Sequence, residues 1–190
     1  MSFCCLSKHY PTPPYQYTNM QTITPPRDYP ATKFHCEPAV PADMPAVLRI
    51  WAAGMQQSYP ELSFTAEHRR RFRRNFRQQR APFGFWVARG EGGEVLGWCS
   101  ILPAFSHPLA QREEAEVSLY MVPKLQLYGV GTSLIQHVFA VLVGSGLHRV
   151  WGFAKPANQC SLRVCEKAGM RVIGTTLTDT ILLREYGHAS

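Results

Sequence analysis

The chain has 190 residues, a formal net charge of +7 and a pI of about 9.3, which fits one domain of ordinary size. Hydrophobic residues make up 45% of it, enough for a core, but no apolar run reaches the ~20 residues that span a bilayer. The six cysteines show neither CxxC spacing nor a zinc pattern. We therefore expect no signal peptide, no membrane partner and no metal, and free thiols in a reducing, cytoplasmic compartment.

The chain divides into two parts by composition. Residues 1–32 are rich in Pro, Thr and Tyr and show no sustained period, which predicts a flexible N-terminal tail. Residues 33–190 alternate strand and helix patterns, which predicts one α/β (α+β) domain with a mixed sheet and helices on its faces. The predicted strands are 33–40, 83–90, 94–105, 114–122, 148–156, 171–177 and 179–186, and the predicted helices are 41–57, 65–80, 129–144 and 158–169.

The second predicted helix is strongly basic, with seven arginines between Arg69 and Arg80. Phe72 and Phe76 lie four residues apart and should face the core. Thr65 is the expected N-cap, and His68 is not the Glu or Gln of a capping box. The arginines fit a solvated helix face or an attractor for an anionic ligand. Because no base-stacking pattern accompanies them, we do not expect a nucleic-acid partner.

The segment QLYGVGT (126–132) follows a predicted strand and opens a predicted helix. A helix N-terminus carries unpaired N–H groups and partial positive charge, and glycine lets a phosphate approach them. The segment lacks the GK[ST] of a P-loop, and Leu134 replaces the third glycine of the dinucleotide fingerprint. Taken alone, the segment is either an anion site or a packing turn.

Two motifs together resemble the GNAT superfamily of acyl-CoA-dependent N-acyltransferases. QLYGVG (126–131) fits that superfamily's Q/R-x-x-G-x-G/A signature, and NQCSLRVCEKAGM (158–170) is similar to its N-x-x-S…E-K-x-G-F motif. EPAVPADMPAVLRIW (37–51) and AEVSLYMVP (115–123) look like the phosphinothricin and L-amino-acid N-acetyltransferase branch. The resemblance covers roughly residues 34–186 and implies the GNAT fold: a mostly antiparallel sheet of six to seven strands flanked by about four helices.

The resemblance also implies acetyl-CoA as co-substrate. Its pantetheine arm would pair with the strand backbone like an added strand, and its pyrophosphate would lie on the glycine loop. Asn158 would contact the pantetheine region or act as a helix N-cap, and Ser161 would be a first-turn residue beside it. The implied cofactor-binding residues are Leu119, Tyr120, Met121, Gln126, Leu127, Tyr128, Gly129, Val130, Gly131, Thr132, Asn158 and Ser161.

Attack of an amine on a thioester needs a proton acceptor, because an ammonium cannot attack. Glu116 is the residue that the branch resemblance places in this role, with a surface strand carboxylate as the alternative. Arg112 would face a substrate carboxylate as a guanidinium fork or is an ordinary loop charge, and Ser118 shares the Glu116 side of the strand. These three are the predicted substrate-binding residues.

Cys165 departs from the resembling families, which carry Tyr or His at this place. A thiol could protonate the leaving CoA thiolate, or it could be a small apolar filler of the helix face. Cys165 therefore stands as a catalytic candidate with a packing alternative.

The segment between the last two predicted strands, near residues 176–178, is short, whereas the resembling branch has a longer one that closes the substrate pocket. The site would be open, or would take a lid from the tail or from the second copy of a homodimer.

The predicted activity is acetyl transfer from acetyl-CoA to a primary amine of a small molecule, an amino acid or analogue first. The alternatives are a peptide or protein amine as acceptor, and a non-catalytic acetyl-CoA-binding regulatory module.

Overall fold

The computed structural model describes residues 33–60, 63, 65–104, 113–122 and 129–187. Within them the predicted fold class is confirmed, with seven strands in one mixed sheet and four α-helices. In chain order the elements are β1 (Phe34–Pro38), a 3-10 turn (Pro41–Asp43), α1 (Met44–Ser58), α2 (Ala66–Arg77), β2 (Gly84–Gly90), β3 (Val95–Pro103), β4 (Glu114–Met121), α3 (Val130–Val141), β5 (Arg149–Ala154), α4 (Gln159–Lys167), β6 (Arg171–Thr175) and β7 (Thr180–Glu185).

The sheet has the strand order β1-β2-β3-β4-β5-β7-β6. All its neighbouring strands are antiparallel except β4 and β5, which are parallel and joined through α3. A parallel pair needs such a crossover because the chain must return to the same end of the sheet. The parallel pair lies in the middle of the sheet, and the candidate site is built around it.

One face of the sheet is covered by α1 and α2. Phe72 and Phe76, on one side of α2 as predicted, are 8% and 2% exposed and pack with Phe85 and Trp98 of the sheet. The ring of Phe72 also stacks on Trp51 of α1, with centroids 4.4 Å apart. Burial of each such ring contributes about 1.5–3 kcal/mol, which holds a helix whose other side is mostly arginine.

The opposite face is covered by α3 and α4. Leu134, Ile135 and Val138 of α3 are fully buried in a core shared with Val117 of β4 and Val150 of β5. The odd and even positions of β4 therefore serve different cores, as the period of two predicts.

The start of α2 corrects one sequence interpretation. Thr65 is the N-cap as predicted, its hydroxyl accepting from the His68 N–H at 3.3 Å. His68 returns the contact, since its Nδ1 accepts from the Thr65 N–H at 3.3 Å. This is a reciprocal capping box, and the interpretation that His68 could not complete one was wrong. The imidazole nitrogen acts as the acceptor that Glu or Gln usually supplies.

The predicted tail, residues 1–32, lies outside the described residues and stays a prediction. No described helix has the length and apolar character required to cross a bilayer.

Candidate active site

The strands β4 and β5 are paired over only three residues each. Their register runs from Glu114 opposite Arg149 to Glu116 opposite Trp151. Both strands continue beyond this point, β4 to Met121 and β5 to Ala154, without further pairing between these two described strands. Beyond this point, the edge of each strand that faces the other carries backbone N–H and C=O groups that no described strand pairs with. An extended, amide-bearing chain can bind such an edge as an added strand.

The side chains of β4 alternate as predicted. Val117, Leu119 and Met121 pack against the core under α3 and α4. Tyr120 packs against the core under α1 and α2, and Glu116 and Ser118 share its side because successive residues of a strand point to opposite faces. A group threaded between β4 and β5 would therefore meet Glu116 on one face of the sheet and α3 on the other.

The helix α3 begins beside this opening. Its N-cap, Gly129, has φ +82°, a left-handed conformation that glycine adopts without steric cost. The first helical bond joins the Ser133 N–H to the Gly129 carbonyl at 2.8 Å. The N–H groups of Val130, Gly131 and Thr132 thus precede the first helical bond, and N–H groups at this position of a helix can bind an anion.

This first turn lies against β4. A Cβ built on Gly131 would lie 3.6 Å from the Met121 sulfur and 3.7 Å from Leu119, an ordinary contact that alanine could make. The predicted anion site therefore lies next to the parted edge of β4. The two observations together fit a ligand with an extended amide chain and a phosphate group.

Four predicted site residues lie outside the described part of the chain. They are Arg112, Gln126, Leu127 and Tyr128. Their roles stay predictions.

Glu116 is half-buried, and burial raises the pKa of its carboxyl above the usual range. The described residues offer its carboxylate no hydrogen-bond donor and no ion-pair partner. Desolvation without a partner disfavours the charged form. A carboxylate with these properties is a stronger base than an exposed one, which suits proton abstraction.

Two aromatic rings and a methionine sulfur lie on the same face of the sheet as Glu116. Tyr120 stacks on Trp98 with ring centroids 4.8 Å apart, and its hydroxyl contacts the Met55 sulfur at 3.3 Å. Burial raises the pKa of the Tyr120 phenol, and the nearby Tyr59 and Glu116 raise it further. The sequence predicted a role for the Tyr120 backbone in pantetheine binding, but it did not predict that the Tyr120 ring packs against α1.

Sequence reasoning also missed three residues that converge here. Tyr59 ends α1, and the Lys155 ammonium lies 4.2 Å from the centroid of its ring. Lys155 follows β5 directly and forms an ion pair with Asp179, ahead of β7, at 3.5 Å. These residues are far apart in the sequence and belong to no motif, so no local signal could have grouped them.

Asn158 is the N-cap of α4. Its side-chain oxygen accepts from the Ser161 N–H at 3.1 Å. The capping role predicted for Asn158 is therefore present, and the side-chain amide nitrogen is not used by this bond. Ser161 is a first-turn residue as expected. A contact of either residue with pantetheine stays a prediction.

Cys165 lies in the core under α3 and α4 and is 7% exposed. Burial raises the pKa of its thiol to about 11, opposed by a hydrogen bond with Ser161. A thiol of this kind stays protonated at neutral pH. Its side chain packs on the opposite face of the sheet from Glu116. These observations favour the packing alternative for Cys165.

A separate cleft of about 690 Å³ lies between α1 and the β2–β3 hairpin. Its charged wall is an ion-pair network in which Arg89 donates to Glu37 and, at 2.9 Å, to Asp43. Asp43 is 5% exposed and also accepts from the Val40 N–H at 2.9 Å. The network ties β1, β2 and the start of α1 together. Glu116 does not line this cleft.

Comparison with known families gives one match that covers most of the chain. The family described as "Acetyltransferase (GNAT) domain" matches residues 35–171. Among curated proteins, the phosphinothricin N-acetyltransferase of Streptomyces coelicolor is 32% identical over 114 residues, which is 59% of this chain and 65% of the relative. An N-acetyltransferase of Streptomyces griseus is 38% identical over 81 residues, 43% of this chain and 41% of the relative. Matches of this kind span only 41–65% of the relatives' own lengths.

Solved structures show the same architecture. A GNAT superfamily phosphinothricin acetyltransferase from Sinorhizobium meliloti, crystallised with acetyl-CoA, superposes with a TM-score of 0.66. The match covers 81% of this chain and 89% of that one at 19% identity. At this identity the likeness establishes the fold.

Proposed function

The chain belongs to the acetyltransferase (GNAT) domain family, and we propose that it transfers an acetyl group from acetyl-CoA to a primary amine of a small molecule, such as an amino acid or analogue. The observation that carries the proposal is the parting of β4 and β5 directly after Glu116 and Trp151. The half-buried carboxylate of Glu116 lies at this opening, and the first N–H groups of α3 lie beside it. The curated relatives named for phosphinothricin acetylation support an amino-acid-like acceptor.

The residues of the site fit acetyl-CoA. The unpaired edge of β4 over Leu119, Tyr120 and Met121 suits the amides of pantetheine, and the first turn of α3 after Gly129 suits a pyrophosphate. Bound there, acetyl-CoA supplies an activated acetyl thioester. A backbone N–H of the β4 edge would stabilise the negative charge that develops on the thioester oxygen.

Glu116 takes the proton that the amine must lose. The neutral amine nitrogen attacks the thioester carbonyl carbon, so that a C–N bond forms while the C–S bond breaks. The amine proton passes to Glu116 directly or through a water molecule, and the CoA thiolate is protonated from solvent. The raised pKa of Glu116 supports this role, because a base is most effective when its pKa approaches the working pH.

Measurement of free CoA thiol release across an amine panel tests the proposal. We expect turnover on at least one amino acid or small primary amine. Turnover only on peptide or protein amines would favour the open-groove alternative. Binding of acetyl-CoA without turnover on any amine would identify a regulatory module and refute the enzymatic proposal.

A further inference from the structure

The strands β5, β7 and β6 form one half of the sheet, and this half presents a surface on the same side of the sheet as Glu116. Val150, Gly152 and Ala154 of β5 are buried on the side of the core under α3 and α4, and a Cβ built on Gly152 would lie 3.5 Å from a methyl group of Val117 in that core. The intervening residues Trp151 and Phe153 therefore point to the other face. Among the described residues, the core under α1 and α2 on that face takes its strand residues from β2, β3 and β4 and none from β5, β6 or β7.

Phe153 is unusually exposed for its place in the sheet. It lies in an interior strand, yet 46% of it is open to solvent. Its cross-strand partner is Ile181 of β7. Neither residue belongs to the two hydrophobic cores of the described part of the chain. Phe153 is exposed and Ile181 beside it is partly exposed, so the two side chains present an apolar surface that a ligand could cover.

This pair lies at the candidate active site. Trp151 is opposite Glu116 where β4 and β5 part, and Phe153 is two residues further along β5. At ~3.3 Å per residue, Phe153 is about 7 Å beyond the Glu116 level. That is the reach of a benzyl or similar substituent on the carbon next to an amine. An amine positioned at Glu116 would therefore place such a substituent over Phe153.

The charged residues beside Phe153 and Ile181 favour an acceptor whose amine lies at Glu116 and whose substituent lies over Phe153. The Lys155 ammonium is held by Asp179 at 3.5 Å and by the ring of Tyr59 at 4.2 Å. These two charges compensate each other, so the surface next to Phe153 is close to neutral. Glu116 carries no described ion-pair partner and attracts the incoming ammonium. The site therefore presents a carboxylate for the amine and a neutral apolar surface for an apolar substituent of the acceptor.

We propose that the acceptor amine carries an apolar, preferably aromatic, substituent that lies on Phe153 and Ile181, and that Phe153 determines this specificity. The proposal rests on the acetyltransferase function proposed above. Phe153 is a specificity-determining residue that contacts the acceptor and takes no part in proton transfer.

Steady-state kinetics with a matched pair of acceptors tests the proposal that Phe153 determines acceptor specificity. L-phenylalanine and L-alanine share the amine and carboxylate and differ only in the phenyl ring. We expect kcat/KM to be at least about tenfold higher for phenylalanine, the scale set by burial of one ring. Phe153→Ala should remove most of that preference by raising the KM for phenylalanine more than the KM for alanine. Phe153→Leu should retain part of it, and Val143→Ala, at a valine 69% exposed just after α3, should change nothing.

Equal kcat/KM for the two acceptors in the wild type would overturn the proposal, as would a Phe153→Ala variant that slows both alike. A product-binding experiment distinguishes failure of the specificity proposal from failure of the enzymatic proposal. Calorimetry should show N-acetyl-L-phenylalanine binding several-fold more tightly than N-acetyl-L-alanine to the CoA-loaded protein, with the difference lost in Phe153→Ala. If no amine turns over but this difference persists, the surface assignment stands and the activity does not. If the difference is absent, the surface assignment is wrong whatever the turnover.

Discussion

Glu116 and Trp151 are the last residue pair that β4 and β5 share before the two strands separate. This pairing sets the depth of the opening and places a half-buried carboxylate at its closed end. Beyond it, β4 continues to Met121 and β5 to Ala154 with no further pairing between them. The predicted base, Glu116, and the predicted anion site at the start of α3 therefore lie beside the same opening between β4 and β5.

Glu116→Gln should lower kcat by about 10²–10⁴-fold, the usual contribution of general base catalysis. The substitution keeps the size of the side chain, so the affinity for acetyl-CoA should change little. In the wild type, kcat should rise with pH through the raised pKa of Glu116, since only the carboxylate accepts a proton. The variant should lack that limb of the pH profile. Unchanged kcat in the variant would exclude Glu116 as the base.

The same substitution should stabilise the protein at neutral pH. The folded-state pKa of Glu116 is raised by burial, so the cost of ionising it appears as pH rises through that pKa and is absent well below the ordinary value. Urea unfolding should therefore give Glu116→Gln a higher midpoint than the wild type at pH 7. The two midpoints should converge near pH 4. A variant less stable at pH 7 would show that the carboxylate has a stabilising partner.

Gly129→Val should weaken CoA binding at least about tenfold in calorimetry. Gly129 needs φ +82°, which costs a residue with a Cβ roughly 1–2 kcal/mol and more when it is β-branched. Gly131→Ala is the matched control two residues away, because its methyl would meet neighbours at 3.6 Å or more. If both variants bind CoA as tightly as the wild type does, the first turn of α3 is not part of the cofactor site.

Asp43→Asn should lower the free energy of unfolding by about 3 kcal/mol, as expected when one partner of a buried ion pair is removed. Asp43 is 5% exposed and pairs with Arg89. Glu185→Gln breaks the exposed pair with Arg171 and should cost less than about 1 kcal/mol. Urea unfolding of both variants makes the comparison. Similar losses would mean that the Asp43 network is not effectively buried.

Cys165→Ala should keep kcat close to the wild-type value and cost about 1 kcal/mol of stability from the small cavity it leaves. The thiol is buried and protonated, on the face opposite Glu116. Cys160→Ala, at an exposed cysteine of the same helix, should affect neither quantity. A loss of about 100-fold in kcat confined to Cys165→Ala would restore the catalytic interpretation.

Local sequence was sufficient for the elements and for several of their ends. The apolar spacing of Phe72 and Phe76 predicted which side of α2 is buried, and Thr65 was identified as its cap. The missed partner, His68, shows the limit of a motif written in residue types: the structure needs an acceptor atom at the right place, and an imidazole nitrogen can supply it.

The sequence by itself determined the alternation of β4, the glycine loop before α3 and the family resemblance, because these depend on residues close along the chain. Only the tertiary structure decided how deeply Glu116 is buried, that Cys165 lies in the opposite core, and that Tyr59, Lys155 and Asp179 meet beside the opening. Burial and pKa depend on what distant segments bring into contact. No local pattern in the sequence encodes those contacts, because they join residues that are far apart along the chain.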